Sequence, residues 1–334
     1  MSTVTDPHHA QSDAESDEPL LRRIGNARFS LLPLKEPKIW EFYKTHQSMF
    51  WTVEECDFSR DRDDYAKLSA EEQSFIVNVL SFFNASDLLV NENLIEQFSS
   101  EISLPEARSF YTMQALIETV HTECYSTMLQ TLCTEEEQRR AFSAIEHVPA
   151  IKGKHEWAMK YTDASAVPFV ERLLAFAVFE GVLFSASFAA IYHFKQKGLM
   201  PGLCFSNELI SRDESLHCDF ATHLYTHHVK NRLTDARAHA IVGEAVAAEE
   251  AFVRESLRSD IIGLSKDRMV KYVHHVANRL LVALGHPALF DDARSLAFMD
   301  AISIDSSPNF FEKRVENYAK RSATAGEIAL DEEF

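Results

Sequence analysis

The sequence predicts an all-α fold, a bundle of long helices, from three observations. Gly and Pro are scarce, with 9 and 10 among 334 residues, which leaves few turns and favours long helices over a many-stranded fold. Several apolar stretches are longer than a typical strand, and single acidic residues lie within them. The third observation is a Glu-x-x-His spacing that occurs twice, and this spacing places both side chains on one helical face.

Composition excludes several classes of function. The formal net charge of −18 argues against a nucleic-acid partner or an anionic membrane surface. Five cysteines, an odd number without metal-finger spacing, indicate a reduced intracellular protein, which we expect in the cytoplasm. The chain starts with a polar, acidic stretch instead of a signal peptide. Polar residues interrupt the long apolar helices, so we interpret these as core and not as membrane spans.

Three regions follow from the pattern along the chain. Residues 1–25 are polar and acidic without apolar periodicity, and this predicts a disordered leader. Residues 26–310 carry the helical pattern and form the predicted domain. Residues 311–334 form a predicted flexible tail with apolar side chains at Ile328, Leu330 and Phe334. Most such tails only solubilise a chain, and a few dock in the groove of a partner.

Local signals predict where the helices begin and end. A capping box at residues 69–72 starts one helix. Pro105 suits the first turn of the next, and Gly198 and Pro201 end a third. The predicted helices cover residues 39–51, 69–97, a stretch from Pro105 through Tyr125, 168–198, 206–229, 234–260 and 265–284.

The second long helix carries the first chemical motif. Glu118 and His121 are one turn apart, and Tyr125 lies four positions further along the same stripe. A carboxylate, an imidazole and a phenol therefore face one partner surface. Taken alone, this stripe is better explained as a core helix with a satisfied histidine and tyrosine.

The motif recurs in the fourth long helix as Glu214 and His217. Each copy has an acidic residue roughly thirty positions upstream in an apolar stretch, Asp87 for the first and Glu180 for the second. That distance fits the remainder of one long helix, a turn and half of the next helix at about 1.5 Å per residue. Six ligands would then lie at one level of a four-helix bundle, which is the ferritin-like di-metal carboxylate arrangement.

Four carboxylates and two imidazoles suit Fe or Mn better than Zn or Cu. Two such ions can activate O2, and an open substrate cavity would then give a hydroxylase or a desaturase. A ferroxidase that stores iron would need a cage. Because Tyr125 lies on the ligand stripe, a third outcome is a tyrosyl radical. Phe184 and Phe188 follow Glu180 at helical spacing and could form the apolar wall that protects such a radical.

Beyond these motifs, the chain resembles the small, radical-generating subunit of class I ribonucleotide reductase, in its eukaryotic form. The resemblance extends over about residues 28–334 and is carried by residues 82–94, 118–125, 178–188, 199–202, 206–220 and 309–314. It implies an all-α, ferritin-like homodimer with two Fe ions per subunit, Mn being possible. By resemblance the six residues Asp87, Glu118, His121, Glu180, Glu214 and His217 are the metal ligands and Tyr125 is the radical.

The resemblance also implies a route for the radical and a partner. Trp51, Asp213 and, in the tail, Tyr318 match the family's radical-transfer residues. The tail that ends in Phe334 matches the peptide that docks on the large subunit, which holds the nucleotide site. From the residues alone, Trp51 is explained as well by packing, and Asp213 by a salt bridge with Arg212.

The expected function is therefore that of the small subunit of ribonucleoside-diphosphate reductase, active only in complex with the large subunit. The runner-up is a stand-alone di-iron oxygenase or desaturase, which would not need the tail. A structural or regulatory homologue without chemistry would lack ligands or Tyr125, and all of these residues are present.

Overall fold

Helices dominate the computed structural model of the chain, which describes residues 18–21, 30–93, 97–256, 265–296 and 299. The side chains of residues 87–89, 92 and 93 lie outside the described part. The α-helices are α1 Pro37–Ser48, α2 Asp61–Tyr65, α3 Ala70–Asn93, α4 Ser99–Glu101, α5 Pro105–Leu132, α6 Glu135–Phe142, α7 Ala144–His147, α8 Pro149–Lys160, α9 Phe169–Val178, α10 Ser185–Gln196, α11 Pro201–His227, α12 Asp235–Ser256 and α13 Lys266–Ala283.

Two other helical segments lie among these helices. A 3₁₀ turn covers Val53–Glu55, and a π-helix covers Phe179–Leu183 between α9 and α10. The only β-structure among the described residues is an isolated bridge between Leu21 and Ile102. The all-α prediction is confirmed.

Long helices pack side by side to form the core. Helix α5 packs along α3 and α1, and α11 packs along α9 and α10. Aromatic rings connect these two groups of helices, since Phe110 of α5 stacks on Phe220 of α11 with ring centroids 3.7 Å apart. Burying such large rings stabilises the fold by about 2 to 3 kcal/mol each.

The predicted start signals of two helices are confirmed. Ser69 and Glu72 form the capping box before α3, with Glu72 N donating to Ser69 Oγ at 3.2 Å and Ser69 N donating to Glu72 Oε2 at 2.9 Å. Pro105 is the first residue of α5. The third predicted helix, 168–198, is split by the π-helix, which the apolar pattern did not indicate.

Helix α11 begins five residues earlier than predicted, at Pro201. Asp61 caps this end, because its carboxylate accepts hydrogen bonds from Gly202 N at 2.9 Å and Leu203 N at 2.6 Å. Gly202 is needed here, since a Cβ would lie 2.5 Å from Asp57 O. The cap comes from a distant part of the chain, so the local sequence around Pro201 does not reveal it.

A short segment of the predicted leader packs on the helical domain. Leu20 is buried, and its carbonyl oxygen accepts from Ser103 N at 2.8 Å. Glu18 is buried as well and accepts from Lys230 N at 3.2 Å. Residues 18–21 therefore belong structurally with the bundle, because Leu20 supplies an apolar side chain that the polar stretch before it lacks. The rest of the predicted leader, residues 1–17 and 22–25, lies outside the described residues.

The chain divides into two units, Met1–Arg294 and Ser295–Phe334. All the helices named above belong to the first unit. The predicted boundary at residue 310 and the predicted tail lie outside the described residues, so the limits 26–310 and 311–334 stay predictions.

One stretch, Phe169–Gln196, is long and apolar enough to cross a membrane by length and composition. In its most apolar window, 94% of the residues are buried inside the protein. This stretch contains the π-helix and packs against α11 and α12, as expected of a core helix.

Candidate metal centre

Three of the long segments bring predicted ligands together at one level of the bundle. Helix α5 carries Glu118 and His121, α11 carries Glu214 and His217, and the π-helix carries Glu180. Asp87 belongs to α3, and its side chain lies outside the described part of the structure. Four of the remaining side chains, Glu118, Glu180, Glu214 and His217, each offer one ligand atom, and these atoms all lie within 4.8 Å of one another.

The two Glu-x-x-His motifs form a closed ring of carboxylates and imidazoles. His121 Nδ1 lies 3.2 Å from Glu118 Oε2 and 3.1 Å from Glu214 Oε1. His217 Nδ1 lies 3.0 Å from Glu118 Oε1 and 3.2 Å from Glu214 Oε2. Each carboxylate therefore turns one oxygen toward each imidazole, and the ring has two equivalent positions, one beside each Nδ1.

The carboxylates and imidazoles of this ring are buried, and a bound cation would balance their negative charge. Glu118, His121, Glu214 and His217 are all at most 3% exposed, and buried charges need partners. Burial alone would lower the pKa of His217, but the carboxylates of Glu118 and Glu214 outweigh it and raise that pKa to about 9. The pKa of His121 is likewise raised well above its ordinary value against the effect of burial, by Asp213 first and then by Glu118 and Glu214.

Divalent cations would satisfy the same negative charge without protons on the imidazoles. Burial tends to raise the pKa of Glu214, and the two imidazoles overcome this and lower it, so its carboxylate is kept ionised. Oxygen and imidazole ligands of this kind suit Fe and Mn. The residues present therefore fit a di-metal site, with one position beside each histidine.

Glu180 reaches the centre from a helix with irregular geometry. It lies in the π-helix Phe179–Leu183, and π-helical turns are frequent at functional sites. Its Oε1 accepts a hydrogen bond from Gln114 Nε2 at 3.0 Å. The next residue, Gly181, allows the close approach of α11, because a Cβ at this position would lie 2.8 Å from Cys218 Sγ.

Tyr125 is buried in an aromatic environment. Its ring stacks on Phe83 of α3 with centroids 4.8 Å apart. The predicted wall residues Phe184 and Phe188 pack on Phe83, at 5.5 and 5.1 Å. Phe83 was not predicted as part of this pocket, although its position one helical turn before Asp87 was a usable signal.

Trp51 and Asp213, two of the residues predicted by resemblance to transfer the radical, are in contact with each other and with His121. Trp51 Nε1 donates a hydrogen bond to Asp213 Oδ2 at 2.7 Å, and the same oxygen lies 3.3 Å from His121 Nε2. The rings of Trp51 and His121 stack with centroids 5.9 Å apart. The salt bridge expected between Asp213 and Arg212 is also present, at 3.1 Å, but it engages the other carboxylate oxygen.

A contact between two histidines, His217 and His46, was not predicted from the sequence. His217 Nε2 lies 3.3 Å from Nε2 of His46 in α1. His46 shares the buried face of α1 with Ile39 and Phe42. A single histidine on such an apolar face gives no sequence signal for a partner 171 positions away.

Four predicted functional residues, Tyr318, Ile328, Leu330 and Phe334, lie outside the described residues. Their assigned roles stay predictions.

Comparison with known proteins supplies the family. The family model for the small chain of ribonucleotide reductase matches residues 28–295. The chain is 42% identical to the ribonucleoside-diphosphate reductase small chain of Neurospora crassa, over 96% of this chain and 82% of that protein. It is 44% identical to the small chain of Nicotiana tabacum, over 95% and 98%. It is 42% identical to subunit M2 of the human enzyme, over 97% and 84%.

Solved structures agree with these relatives. The Rnr4 homodimer of ribonucleotide reductase from Saccharomyces cerevisiae superimposes with a TM-score of 0.81 at 31% identity, covering 93% of this chain and 96% of that one. The dimanganese(II) NrdF protein of Streptococcus sanguinis has the same fold, with a TM-score of 0.71 at 20% identity, over 80% and 96%. The predicted ferritin-like bundle is confirmed, and none of the proteins named here favours the stand-alone oxygenase.

The helical bundle, its carboxylate–imidazole centre and these matches give one conclusion. The chain belongs to the ribonucleotide reductase small-chain family, in its eukaryotic type, and functions as the small subunit of the oxidoreductase ribonucleoside-diphosphate reductase.

Proposed function

We propose that the chain uses a di-iron centre to make a stable radical on Tyr125, and that this radical drives ribonucleotide reduction in the large subunit. The observation that carries the proposal is the ring in which Glu118 and Glu214 each turn one oxygen to His121 Nδ1 and the other to His217 Nδ1. Two bridging carboxylates with one imidazole at each end match a site for two ions.

The six proposed ligands are Asp87, Glu118, His121, Glu180, Glu214 and His217. When bound, two iron ions would supply electrons to O2 and the oxidising capacity to take one electron from Tyr125. Manganese has the same ligand preferences, so the chain's donor set is compatible with either metal.

The surroundings of Tyr125 suit a radical that must persist. The phenol ring is 2% exposed and stacks on Phe83. Phe184 and Phe188 form a second layer behind Phe83. Together these apolar rings would limit the access of water and small reductants to a radical on Tyr125.

The contacts of Asp213 suit transfer of an electron together with a proton. Loss of an electron from Trp51 makes its indole N–H strongly acidic, and Asp213 Oδ2 at 2.7 Å can accept that proton. Arg212 donates to Oδ1 of the same carboxylate and to Met49 O at 2.7 Å. Arg212 therefore fixes Asp213 and ties it to the segment just before Trp51. Tyr318 would continue the route toward the partner.

We further propose a cytoplasmic homodimer whose tail, with Ile328, Leu330 and Phe334, docks on the large subunit. The solved structure of the yeast relative is that of a homodimer, which supports the first part. Residues 326–334 are acidic and carry apolar side chains at intervals, and this supports docking of the tail on the large subunit.

The test is reconstitution of metal-free protein with Fe(II) and O2, followed by iron analysis and an assay of deoxyribonucleotide formation with the large subunit. We expect two iron ions per chain and activity only when both subunits are present. Glu214→Gln should lower the iron content and abolish activity. Glu208→Gln, on the same helix and paired with Lys195 away from the centre, should change neither. Full iron binding and activity in Glu214→Gln would refute the ligand assignment.

A further inference from the structure

His46 occupies a position beside the candidate metal centre that none of the predicted roles uses. It is 1% exposed and lies in α1, which packs on α5 and α11. Its ring meets His217 edge-on at a centroid distance of 4.9 Å, and Phe110 covers it at 5.2 Å. Its ring nitrogen Nε2 lies 3.3 Å from His217 Nε2.

The direction of this hydrogen bond follows from the ring of carboxylates. His217 Nδ1 faces Glu118 and Glu214 at 3.0 and 3.2 Å, so a metal ion between them would take the Nδ1 lone pair. A neutral imidazole that binds metal through Nδ1 carries its proton on Nε2. His217 Nε2 must then donate, and His46 Nε2 must accept, with the proton of His46 on its own Nδ1.

The two metal-facing histidines therefore have different outer partners. His121 Nε2 faces a carboxylate, Asp213, which continues to Trp51. His217 Nε2 faces a second imidazole, and Nδ1 of His46 is buried without a hydrogen-bond partner in the part of the chain that the structure describes. His121 is therefore linked through Asp213 to the radical-transfer residues, whereas His217 is hydrogen-bonded to His46.

We infer that His46 is a positioning residue for the metal position beside His217: by accepting the Nε2–H of His217, it fixes the ring and presents the Nδ1 lone pair to the metal. The inference rests on the proposed di-metal function. Groups that orient a metal-bound histidine commonly contribute about 10- to 100-fold to metal affinity.

The test is a titration of the metal-free, full-length protein with Mn(II), monitored by electron paramagnetic resonance without O2 or the large subunit. Free Mn(II), an isolated bound ion and a spin-coupled pair give distinct spectra, so both positions can be counted. The variants are His46→Met, which replaces the imidazole nitrogen with a thioether sulfur that accepts only weakly, and His46→Gln, whose amide oxygen can still accept. Phe42→Leu, on the same buried face of α1, controls for lost packing.

We expect the parent to bind a coupled Mn(II) pair. In His46→Met, the affinity of one position should fall at least about tenfold, so that isolated bound Mn(II) replaces the pair. His46→Gln and Phe42→Leu should retain the pair. His46→Leu, whose side chain has no acceptor, takes the place of His46→Met if that variant does not fold.

The outcomes separate this inference from the proposed function. A parent protein that binds no pair contradicts the di-metal function itself. A parent that binds the pair, together with unchanged affinity in His46→Met, overturns the role of His46 alone. Equal losses in His46→Gln or Phe42→Leu would overturn it as well, because the effect would then come from packing and not from the hydrogen bond.

Discussion

Lys154 and Glu249 form an ion pair that is completely shielded from solvent, with Nζ 2.6 Å from Oε2 and both side chains 0% exposed. The ammonium group also lies over two aromatic rings, 3.3 Å from the centroid of Phe82 and 4.1 Å from that of Phe252. The other oxygen of Glu249 accepts from Ala186 N at 3.2 Å. The pair thus joins α8 and α12 to the first turn of α10. This turn follows, in the chain, the π-helix that carries Glu180.

Removal of one member of this pair should destabilise the protein strongly. Lys154→Met leaves the Glu249 carboxylate buried without a cation, and we expect a loss of about 3 to 5 kcal/mol in the free energy of unfolding. The measurement is urea denaturation of the metal-free protein. Lys152→Met, two residues earlier on the exposed face of α8, is the matched control and should stay within about 0.5 kcal/mol. Similar losses in both variants would mean that the buried pair is unimportant.

The same pair predicts a pH dependence of stability. Burial lowers the pKa of Lys154 to about 8, with Glu249 opposing the shift. Between pH 8 and the ordinary lysine pKa of 10.5, the unfolded chain therefore binds more protons than the folded one. The stability contribution of Lys154 rises with pH across this window, by about 2 kcal/mol from pH 8 to 10. Burial also raises the pKa of the Glu249 carboxyl above its ordinary value of 4.5. The stability contribution of Glu249 therefore falls as the pH rises from 4.5 toward its pKa in the folded protein.

The measurement compares parent and the double variant Lys154→Met/Glu249→Gln, which carries neither titrating group, by urea denaturation at pH 8 and 10. The parent should gain stability relative to the double variant. A relative loss would show that Lys154 keeps its proton in the folded protein throughout this window.

The sequence predicted the long helices and five of the site residues that the structure brings together, because periodicity and Glu-x-x-His spacing are local signals. It did not predict partners from distant segments. Nothing in the local sequence marks Lys154 as buried, because its burial depends on Glu249 and two rings from other helices. His46 was not predicted for the same reason, because its partner His217 lies 171 positions away.

Backbone geometry was also outside the reach of the pattern. The π-helix at Glu180 leaves the apolar run unbroken, so periodicity alone predicts a continuous helix. The early start of α11 depends on the Asp61 carboxylate, whose hydrogen bond to Gly202 N spans 141 positions. Both features arise from tertiary contacts.

Substitution of Trp51 should separate radical formation from radical use. In Trp51→Phe, the hydrogen bond to Asp213 is lost and the ring is harder to oxidise. We expect a normal metal content but a fall of at least about 100-fold in deoxyribonucleotide formation, a barrier increase of about 3 kcal/mol. Trp157→Phe replaces another buried tryptophan, which lies beside Tyr161, and should retain activity. Comparable activity in the two variants would exclude Trp51 from the transfer route.

Deletion of residues 326–334 tests the partner site. The truncated protein should bind metal and form the radical as the parent does, because the centre lies in the helical domain. Ribonucleotide reduction with the large subunit should be lost, since the docking peptide is missing. A synthetic peptide of residues 326–334 should inhibit the parent competitively. Full activity of the truncated protein would place the partner contact elsewhere.

The central claim is that Tyr125 becomes the stable radical, and electron paramagnetic resonance tests it most directly. The metal-free parent, Tyr125→Phe and Tyr111→Phe each receive Fe(II) and O2. Tyr111 is the matched control, because it is a fully buried tyrosine on the same helix. We predict a tyrosyl signal in the parent and in Tyr111→Phe, and no signal in Tyr125→Phe although iron is bound. An undiminished signal in Tyr125→Phe would contradict the account and assign the radical to another residue.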